Sequence, residues 1–196
     1  MKSGEKKKKP LLSKKHVQAR LKFAKEHLVR TVDDWKRVIF SDESKINRFN
    51  SDGRSWTWFR DSKTMESRNV HPLVQAGGGG LMVWGCLTHL GPGYLCRIDG
   101  SLDCATYISI LEDELQKTVE YYDLNDENFV FQQDNAAIHK SKATMKWLEE
   151  KNFELMDWPA KSPDLYHIEN LWAILKKRLK YLPNATKFNS SALGED

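Results

Sequence analysis

Long apolar runs are absent from this sequence of 196 residues. No stretch approaches the roughly 18 consecutive apolar residues that a membrane-spanning helix needs. The lysine-rich N-terminus is not followed by the apolar segment found in secretory signal peptides. We therefore expect a soluble intracellular protein without a membrane partner. The length is sufficient for one domain with a substantial core and terminal tails.

Cysteine is scarce. The chain has three cysteines, an odd number without C-x-x-C spacing. This pattern excludes a disulfide framework and a zinc site built from paired cysteines. We interpret all three as buried thiols: Cys86, Cys96 and Cys104.

Positive charge is concentrated at the N-terminus. The net charge is +4, but residues 1–30 hold eleven Lys and Arg against two Glu, which leaves 20 basic and 25 acidic residues elsewhere. A lysine run here can neutralise DNA phosphates, act as a nuclear address or be a solvated disordered tail, and the sequence alone leaves these alternatives open. If the segment binds DNA, the basic residues that we predict to contact it are Lys6, Lys7, Lys8, Lys9, Lys14 and Lys15.

Apolar periodicity predicts five strands. A β-prone run over 37–41 leads to Asp42 and continues in character through Ile46 and Phe49. Gly91-Pro92-Gly93 has the composition of a hairpin turn between the second and third strands. The remaining strands are predicted at 81–87, 94–98, 129–131 and 153–158.

Apolar residues at helical spacing predict four helices. The first, over 11–28, is basic and amphipathic, which suits a helix that lies on DNA or docks on the core. Two more are predicted at 105–119 and 141–151. The last opens with Ser162 as N-cap and Pro163 at the first helical position. This order of elements predicts an α/β mixed sheet with helices on both faces, as in the ribonuclease H-like fold.

Residues 50–80 form an irregular excursion that is too long for an ordinary turn. The aromatic residues Trp56, Trp58 and Phe59 indicate that it packs on something, whether its own domain, another subunit or nucleic acid. Gly77–Gly80 are followed by a strand and not by a helix, which argues against a phosphate-binding loop. We interpret these glycines as a flexible joint.

Three acidic residues have positions of interest: Asp42 at the first strand, Asp134 after a buried strand and Glu169 in the final helix. Spacing alone favours an ordinary surface or capping role for each, since carboxylates are usually exposed. If they converge, their repulsion calls for a cation, and Asp134→Asn, which neutralises one of them, should stabilise the metal-free protein. Oxygen ligands favour Mg²⁺ or Mn²⁺, and two ions about 4 Å apart would support phosphoryl displacement.

Five sequence blocks in this order resemble the signatures of Tc1-like transposases of the Tc1/mariner superfamily. The blocks are Val38-Ile39-Phe40-Ser41-Asp42-Glu43-Ser44, Met82-Val83-Trp84-Gly85, Gln132-Gln133-Asp134-Asn135 with His139, Trp158-Pro159, and Ser162-Pro163-Asp164-Leu165 followed by Ile168-Glu169-Asn170-Leu171-Trp172. Asp134 and Glu169 are separated by 34 residues, similar to the DD34E arrangement of this family. The family's third acid therefore falls on Glu169 and not on Asp164.

The resemblance implies a metal-dependent enzyme that cleaves DNA strands and transfers them. Asp42, Asp134 and Glu169 would be the catalytic residues and the ligands of two Mg²⁺ ions, for which Mn²⁺ can substitute. It further implies a nuclear protein that acts on DNA, not on a small molecule, and forms a homo-oligomer through a clamp-type loop at 47–80. The implied organisation is a basic linker or helix (1–30), a ribonuclease H-like catalytic domain (31–183) and a polar tail (184–196).

Residues near the three acids have alternative interpretations. His139 either contacts DNA or the active-site surroundings, or is a helix-start or surface histidine. Asn135 either supports the metal site or turns the chain. Asp164 is interpreted as a first-turn acid favoured by the dipole of the final helix. A second cationic cluster either binds DNA phosphate or complements the helix C-terminus: Lys176, Lys177, Arg178 and Lys180.

The sequence starts at what resembles the linker after the family's N-terminal helix-turn-helix modules, so we expect sequence-specific DNA recognition to be missing. Two substitutions also depart from the family pattern. Tyr166-His167 stands where the family usually has Asn-Pro, and Ala137 where it usually has proline. The alternative hypothesis is a truncated, catalytically impaired transposase-derived protein that binds DNA or pairs with other subunits.

Overall fold

A five-stranded sheet forms the centre of the fold. The computed structural model describes residues 11–47, 80–124 and 129–180. Within these ranges the strand order is β3-β2-β1-β4-β5. The strands are β1 (Val38–Asn47), β2 (Gly80–Thr88), β3 (Gly91–Ile98), β4 (Val130–Gln132) and β5 (Glu154–Leu155). β1, β2 and β3 pair antiparallel, whereas β4 pairs parallel with β1 and β5. The predicted mixed sheet is confirmed.

The four predicted helical segments occur in the predicted order with different boundaries. The helices are α1 (Lys14–Glu26), α2 (Val32–Lys36), α3 (Cys104–Ile110), α4 (Gln116–Tyr121), α5 (Lys142–Glu150) and α6 (His167–Lys180). The short helix α2 was not predicted. A π-helical turn, Leu111–Leu115, connects α3 directly to α4. The helix predicted over 105–119 is therefore one continuous helical segment that extends beyond its predicted C-terminal end.

Side-chain caps determine where several helices begin. The Ser13 hydroxyl accepts a hydrogen bond from the His16 N–H, and the Ser141 hydroxyl accepts one from the Thr144 N–H. Such caps satisfy N–H groups that have no partner within the helix. The first helix is consequently shorter than predicted, because it starts after Ser13 and ends at Glu26.

The alternation of side chains along β1 divides the core between the two faces of the sheet. Ile39 faces one apolar cluster, whereas Val38 and Phe40 face the other. The first cluster is formed with α3, the π-helical turn and α5, and includes Trp84, Cys86, Tyr107, Leu111, Leu115, Phe131 and Leu148. The second is formed with α1 and α6, and includes Phe23, Val83, Val130, Trp158, Ile168 and Trp172. Helices cover both faces, as predicted.

The basic helix α1 docks on the core through one side of its surface. The Phe23 ring stacks on His27 with centroids 4.1 Å apart and meets the edge of Trp158 at 5.3 Å. Arg20 donates two hydrogen bonds to the Asp164 carboxylate, at 2.8 and 2.6 Å. Of the two roles considered for this helix, docking on the core is the one the structure describes.

The hairpin between β2 and β3 turns earlier than the sequence indicates. Gly91-Pro92-Gly93 lies inside β3, and the turn consists of His89 and Leu90. The Thr88 hydroxyl closes it by accepting from the N–H groups of Leu90 and Gly91 and donating to the Gly91 carbonyl. Pro92 is tolerated because β3 lies at the edge of the sheet.

The final helix also begins later than predicted. Ser162 does not cap it, and Pro163–Leu165 forms a separate 3₁₀ turn. Tyr166 is extended, so α6 starts at His167 and Glu169 lies in its first turn. The prediction that Asp164 is a first-turn acid of this helix is therefore wrong.

Smaller differences concern the cysteines and two strands. All three cysteines are free, but only Cys86 is buried, while Cys96 and Cys104 are partly exposed. Gly80, predicted as part of a flexible joint, begins β2. β5 is limited to two residues of the six predicted.

Several predictions fall outside the described residues. They concern the lysines at 6–9, most of the clamp-type loop at 47–80 and the tail at 184–196. No helix within the described ranges is both long and apolar enough to cross a membrane.

Candidate active site

Adjacent parallel strands place Asp42 and Asp134 at matching positions. β1 and β4 pair in a register that matches Phe40 with Gln132. Asp42 lies two residues beyond Phe40, and Asp134 lies two residues beyond Gln132, immediately after β4 ends. The strand pairing therefore directs the first two predicted acids to the same end of the sheet.

The third acid approaches from α6. Ile168 is fully buried in the second apolar cluster and fixes the first turn of this helix against the sheet, whereas the neighbouring Glu169 remains exposed. The Glu169 carboxylate contributes to raising the pKa of Asp42. The structure therefore brings Glu169 near Asp42.

The surroundings of Asp42 disfavour its charge. Burial is the main reason that its pKa rises to about 7, and the carboxylates of Glu43 and Glu169 add to the effect. A hydrogen bond of 3.0 Å from Trp172 Nε1 to Asp42 Oδ2 acts in the opposite direction. Asp42 is thus a partly buried carboxyl group in a region of negative potential.

Asp134 has the opposite electrostatic surroundings. His139 Nδ1 lies 2.7 Å from Asp134 Oδ1, and the Ala136 N–H donates to the same oxygen at 2.8 Å. These contacts lower the pKa of Asp134, with the His139 hydrogen bond as the largest cause. The Asp134 carboxylate is therefore held in its charged form.

His139 connects Asp134 to a fourth acid, Glu43. Its second ring nitrogen, Nε2, lies 3.4 Å from Glu43 Oε1. Burial of the ring opposes protonation, but the contacts with Asp134 and Glu43 outweigh it and raise the pKa of His139 to about 9. The side chain is only 2% exposed, so the interpretation of His139 as a surface residue is wrong.

Neighbouring side chains hold this arrangement in place. Tyr107 packs on the His139 ring at a centroid distance of 4.3 Å and donates its hydroxyl hydrogen bond to Gln133 Oε1 at 2.7 Å. Asn135 Nδ2 donates to the Trp158 carbonyl at 2.7 Å, which connects the end of β4 to the segment after β5. Asn135 therefore anchors the chain where it leaves the sheet.

Tyr166, which with His167 stands where the family usually has Asn-Pro, is buried in the core. Its ring is buried against Trp158 at 5.2 Å and Phe40 at 6.5 Å, and its hydroxyl donates to the Ser41 carbonyl. Ser41 precedes Asp42, so this hydrogen bond connects the start of α6 to the strand that carries the first acid.

The residues present fit a divalent metal ion by donor chemistry. Within the described ranges, no group of three or more His, Cys, Asp and Glu side chains is arranged to hold an ion, and Asp134 Oδ1 is occupied by His139 and Ala136. The oxygen donors of Asp42, Asp134 and Glu169 nevertheless match the preference of Mg²⁺ and Mn²⁺. Burial and the carboxylates of Glu43 and Glu169 raise the pKa of Asp42, and a bound cation would oppose this shift.

The other predicted residues occupy separate places. Asp164 is bound to Arg20. Lys14 and Lys15 are exposed in the first turn of α1, and Lys177 and Arg178 are exposed on α6. Lys176 is partly exposed, and Lys180 is the last residue of α6.

Sequence reasoning missed the site roles of Glu43, Trp172 and Tyr166. Glu43 follows Asp42 in a strand, where alternation points neighbouring side chains to opposite faces and gives no reason to pair them. Trp172 belongs to the fifth sequence block, but we predicted no separate role for it from the sequence. Its spacing of three residues from Glu169 was the available signal, because residues three apart share a helix face.

Known proteins match both the sequence and the fold. The DDE superfamily endonuclease family matches residues 37–190. The Tc1 transposase of Caenorhabditis elegans is 41% identical over 174 residues, which cover 88% of this chain and 62% of that protein. The Mos1 mariner paired end complex with Mn has a TM-score of 0.74 at 18% identity and covers 91% of this chain and 53% of the other. The Mos1 transposase catalytic domain with Raltegravir and Mg has a TM-score of 0.61 at 18% identity, with 88% and 77% covered.

These matches confirm the resemblance and the expected fold. The Mos1 structures share the arrangement of the sheet and helices, which establishes the ribonuclease H-like fold. The chain spans about three fifths of the Tc1 transposase. The family match extends over most of the chain, including all three predicted acids, and the chain belongs to the DDE superfamily endonuclease family.

Proposed function

We propose that this chain cleaves DNA strands and transfers them, with Asp42, Asp134 and Glu169 as catalytic residues. One observation carries the proposal: the parallel register that pairs Phe40 with Gln132 leads to Asp42 in β1 and to Asp134 two residues beyond β4, and the Glu169 carboxylate contributes to raising the pKa of Asp42. Three oxygen donors at one end of a sheet suit phosphoryl transfer assisted by divalent metal ions. The identity with the Tc1 transposase supports DNA as the substrate.

Two Mg²⁺ ions are the proposed cofactors, with Mn²⁺ as a substitute. Such a pair activates the attacking water or 3′-hydroxyl and stabilises the leaving oxygen. Asp42, Asp134 and Glu169 would hold the ions, and the Mos1 structures with Mn and with Mg support this choice of metal.

The protein's own contribution is to orient these carboxylates. His139 fixes Asp134 by its 2.7 Å contact and also faces Glu43, so its ring connects β1 to the end of β4. Asn135 anchors the following turn through the Trp158 carbonyl. We propose that His139 and Asn135 support the metal-binding carboxylates and do not contact the reacting atoms.

DNA contact is proposed for two basic groups. The first comprises Lys6, Lys7, Lys8 and Lys9 with Lys14 and Lys15. The second comprises Lys176, Lys177, Arg178 and Lys180 on α6, the helix that also carries Glu169. The second group lies on the same helix as Glu169, and α6 packs on the sheet, which supports phosphate binding by this group.

We further propose a nuclear homo-oligomer. The lysine run would serve as the nuclear address, and the segment at 47–80 would contact the second subunit. The Mos1 paired end complex supports assembly on transposon-end DNA. Size-exclusion chromatography with light scattering, on the chain with and without residues 48–79, tests the pairing. Imaging of the chain in cells with the lysine run replaced by alanine tests the address.

A second candidate function is DNA binding without catalysis. The observation in its favour is that Asp134 Oδ1 is bound to His139 and Ala136, while no three ligating side chains within the described ranges are arranged around an ion. Such a protein would still bind DNA through its basic residues.

Cleavage of supercoiled and pre-nicked DNA separates the two candidates. We expect the chain to cut in Mn²⁺ and to lose cutting in EDTA. Asp134→Asn preserves size but removes charge from a proposed ligand, so cutting should fall by about 10³-fold or more. Equal cutting by Asp134→Asn contradicts the metal mechanism. DNA binding by both proteins with no cutting by either supports the second candidate.

The salt dependence of DNA binding tests the basic groups. Removing residues 1–10 with Lys14→Gln and Lys15→Gln should lower the slope of log K against log salt by about 0.9 for each phosphate that is no longer neutralised. This deletion leaves Phe23 and Arg20 in place, so α1 stays docked. An unchanged slope assigns the DNA contact to the group on α6.

A further inference from the structure

A glycine lies directly across the sheet from Asp42. β1 and β2 pair Asp42 with Gly85. A Cβ atom at Gly85 would lie 2.5 Å from Leu95 Cδ2 and 3.0 Å from Trp172 Cη2. Contacts this short require the neighbouring side chains to move. The absence of a side chain at residue 85 therefore lets the Trp172 ring lie against the backbone of β2.

The Trp172 ring carries its polar atom to Asp42. The side chain is 2% exposed and belongs to the apolar cluster on the α6 face. Its Nε1–H donates to Asp42 Oδ2 at 3.0 Å. A hydrogen bond to a carboxylate is about twice as strong as one between neutral groups, and a buried indole N–H without a partner is costly. The contact therefore constrains both the ring and the carboxylate.

One helix supplies both an acid and the group that orients another acid. Trp172 follows Glu169 by three residues, so both lie on the side of α6 that faces β1 and β2. Any rotation of α6 that moves Glu169 also moves the donor to Asp42. This coupling distinguishes Trp172 from the other residues of the apolar cluster.

We propose that Trp172, seated against Gly85, is a positioning residue that fixes one carboxylate oxygen of Asp42 and leaves the other for a divalent metal ion. The inference rests on the proposed function, because it takes Asp42 as a metal ligand. It assigns a common task to Gly85 of β2 and Trp172 of α6. Gly85 provides the space, and Trp172 provides the hydrogen bond.

The chain contains a matched control. Trp147 on α5 is also buried, at 8% exposure, and its Nε1–H donates to Glu112 Oε1 at 2.8 Å. It lies in the opposite apolar cluster, away from Asp42. Trp172→Phe and Trp147→Phe therefore remove the same kind of hydrogen bond from the same kind of environment, and only the first touches the proposed site.

The first measurement requires no metal. Each of the seven tryptophans gives one indole N–H signal in a ¹H–¹⁵N spectrum. The Trp172 signal is identified by its loss in Trp172→Phe. We expect it to shift in Asp42→Ala, while the Trp147 signal stays in place. If the Trp172 signal does not move, the hydrogen bond is absent and the inference is overturned.

The second measurement is Mn²⁺ affinity, read from the electron paramagnetic resonance of the free ion. Trp172→Phe should bind Mn²⁺ about 10-fold more weakly than the parent, the usual loss when a group that orients a ligand is removed. Gly85→Ala should weaken binding in the same direction by displacing the ring. Trp147→Phe should retain the parent affinity.

Each outcome separates the inference from the proposed function. Parent affinity in Trp172→Phe, or an equal loss in Trp147→Phe, overturns the positioning role while Asp42 remains a ligand. Parent affinity in Asp42→Ala, or a parent that takes up no Mn²⁺, overturns Asp42 as a ligand and the inference with it. Urea unfolding of the two phenylalanine variants confirms that both compared proteins are folded.

Discussion

The fold shifts the pKa values of the two aspartates at the end of the sheet, Asp42 and Asp134, in opposite directions. Asp42 is partly buried beside Glu43 and Glu169, and its pKa rises to about 7. Asp134 has a side chain that is 47% exposed and contacts His139, and its pKa falls below the usual value. Burial and neighbouring carboxylates thus raise the pKa of Asp42, whereas the His139 imidazole lowers that of Asp134.

This difference indicates where a cation would have the larger effect. Asp134 already has a positive partner, because the His139 pKa of about 9 keeps the imidazole protonated at neutral pH. The side-chain donor to Asp42 is the neutral indole of Trp172. Metal binding should therefore change the protonation of Asp42 more than that of Asp134.

The largest expected effect concerns Glu169, whose carboxylate adds to the effects of burial and Glu43 in raising the pKa of Asp42. Glu169→Gln should reduce Mn²⁺-dependent DNA cleavage by about 10³-fold or more, because it removes a charged ligand. Asp164→Asn is the control, since Asp164 is bound to Arg20 outside the site. Cleavage rates of both variants on nicked DNA give the answer. A greater loss of cleavage in Asp164→Asn than in Glu169→Gln would indicate that Asp164, and not Glu169, is the third catalytic acid.

Without metal, replacing the two aspartates by asparagine should change the free energy of unfolding in opposite directions. At pH 8 Asp42→Asn should raise the free energy of unfolding by about 1–3 kcal/mol, because one unit of pKa shift corresponds to about 1.4 kcal/mol. Asp134→Asn should lower it by about 1 kcal/mol, since it breaks a charged hydrogen bond that solvent partly screens.

Urea unfolding in EDTA measures both changes. The sequence predicts that Asp134→Asn stabilises the metal-free protein. The contacts of Asp134 with His139 and the Ala136 N–H reverse the expected sign for that variant, and the raised pKa of Asp42 assigns the stabilising effect to Asp42→Asn. Stabilisation by both variants would contradict the role given to His139.

The pH dependence of stability should sharpen the comparison further. The folded-state pKa of His139 is raised from 6.5 to about 9, so its contribution is complete below pH 6.5 and disappears as the pH rises to 9. The metal-free parent should lose up to about 3 kcal/mol over this interval, since each unit is worth about 1.4 kcal/mol. His139→Gln should flatten the profile. A parent profile that rises from pH 6.5 to 9 would have the wrong sign.

The smallest expected effect concerns Tyr166, on the Asp42 side of the site. Tyr166→Phe removes the hydroxyl that donates to the Ser41 carbonyl and retains the buried ring. The free energy of unfolding should fall by about 1 kcal/mol, the usual value of one such hydrogen bond. Chemical denaturation measures it, with Tyr121→Phe as the control because that ring is 69% exposed. An equal change in the free energy of unfolding in both variants would contradict an anchoring role for the Tyr166 hydroxyl.

The sequence was sufficient to predict the five strands, four helical segments and the mixed sheet, because apolar periodicity records which face of each element is buried. The helix α2 was missed, because none of its five residues is buried. It was less reliable at boundaries. Ser162 and Pro163 have the composition of a helix start, but the extended backbone of Tyr166 delays α6 to His167. The Thr88 hydroxyl closes the hairpin before the glycines that appeared to mark its turn.

The candidate site was predictable only in part. The strand and helix assignments placed the three acids, and the family resemblance selected Glu169 over Asp164. The contacts of Glu43 with His139 and of Trp172 with Asp42 join residues about a hundred positions apart in the chain. Local patterns contain no information on such pairs, because only the completed fold determines which side chains meet.

The pairing of Asn47 with Gly80 has a consequence for how this fold can vary. The intervening segment leaves β1 and returns to β2 at positions directly opposite each other. Its two ends are therefore anchored by the same rung of the ladder, whatever its length, and longer loops add little entropic cost. Evolution can enlarge, shorten or exchange such an insertion without altering the sheet, and a protein engineer can replace it with a tight turn to obtain a minimal catalytic core.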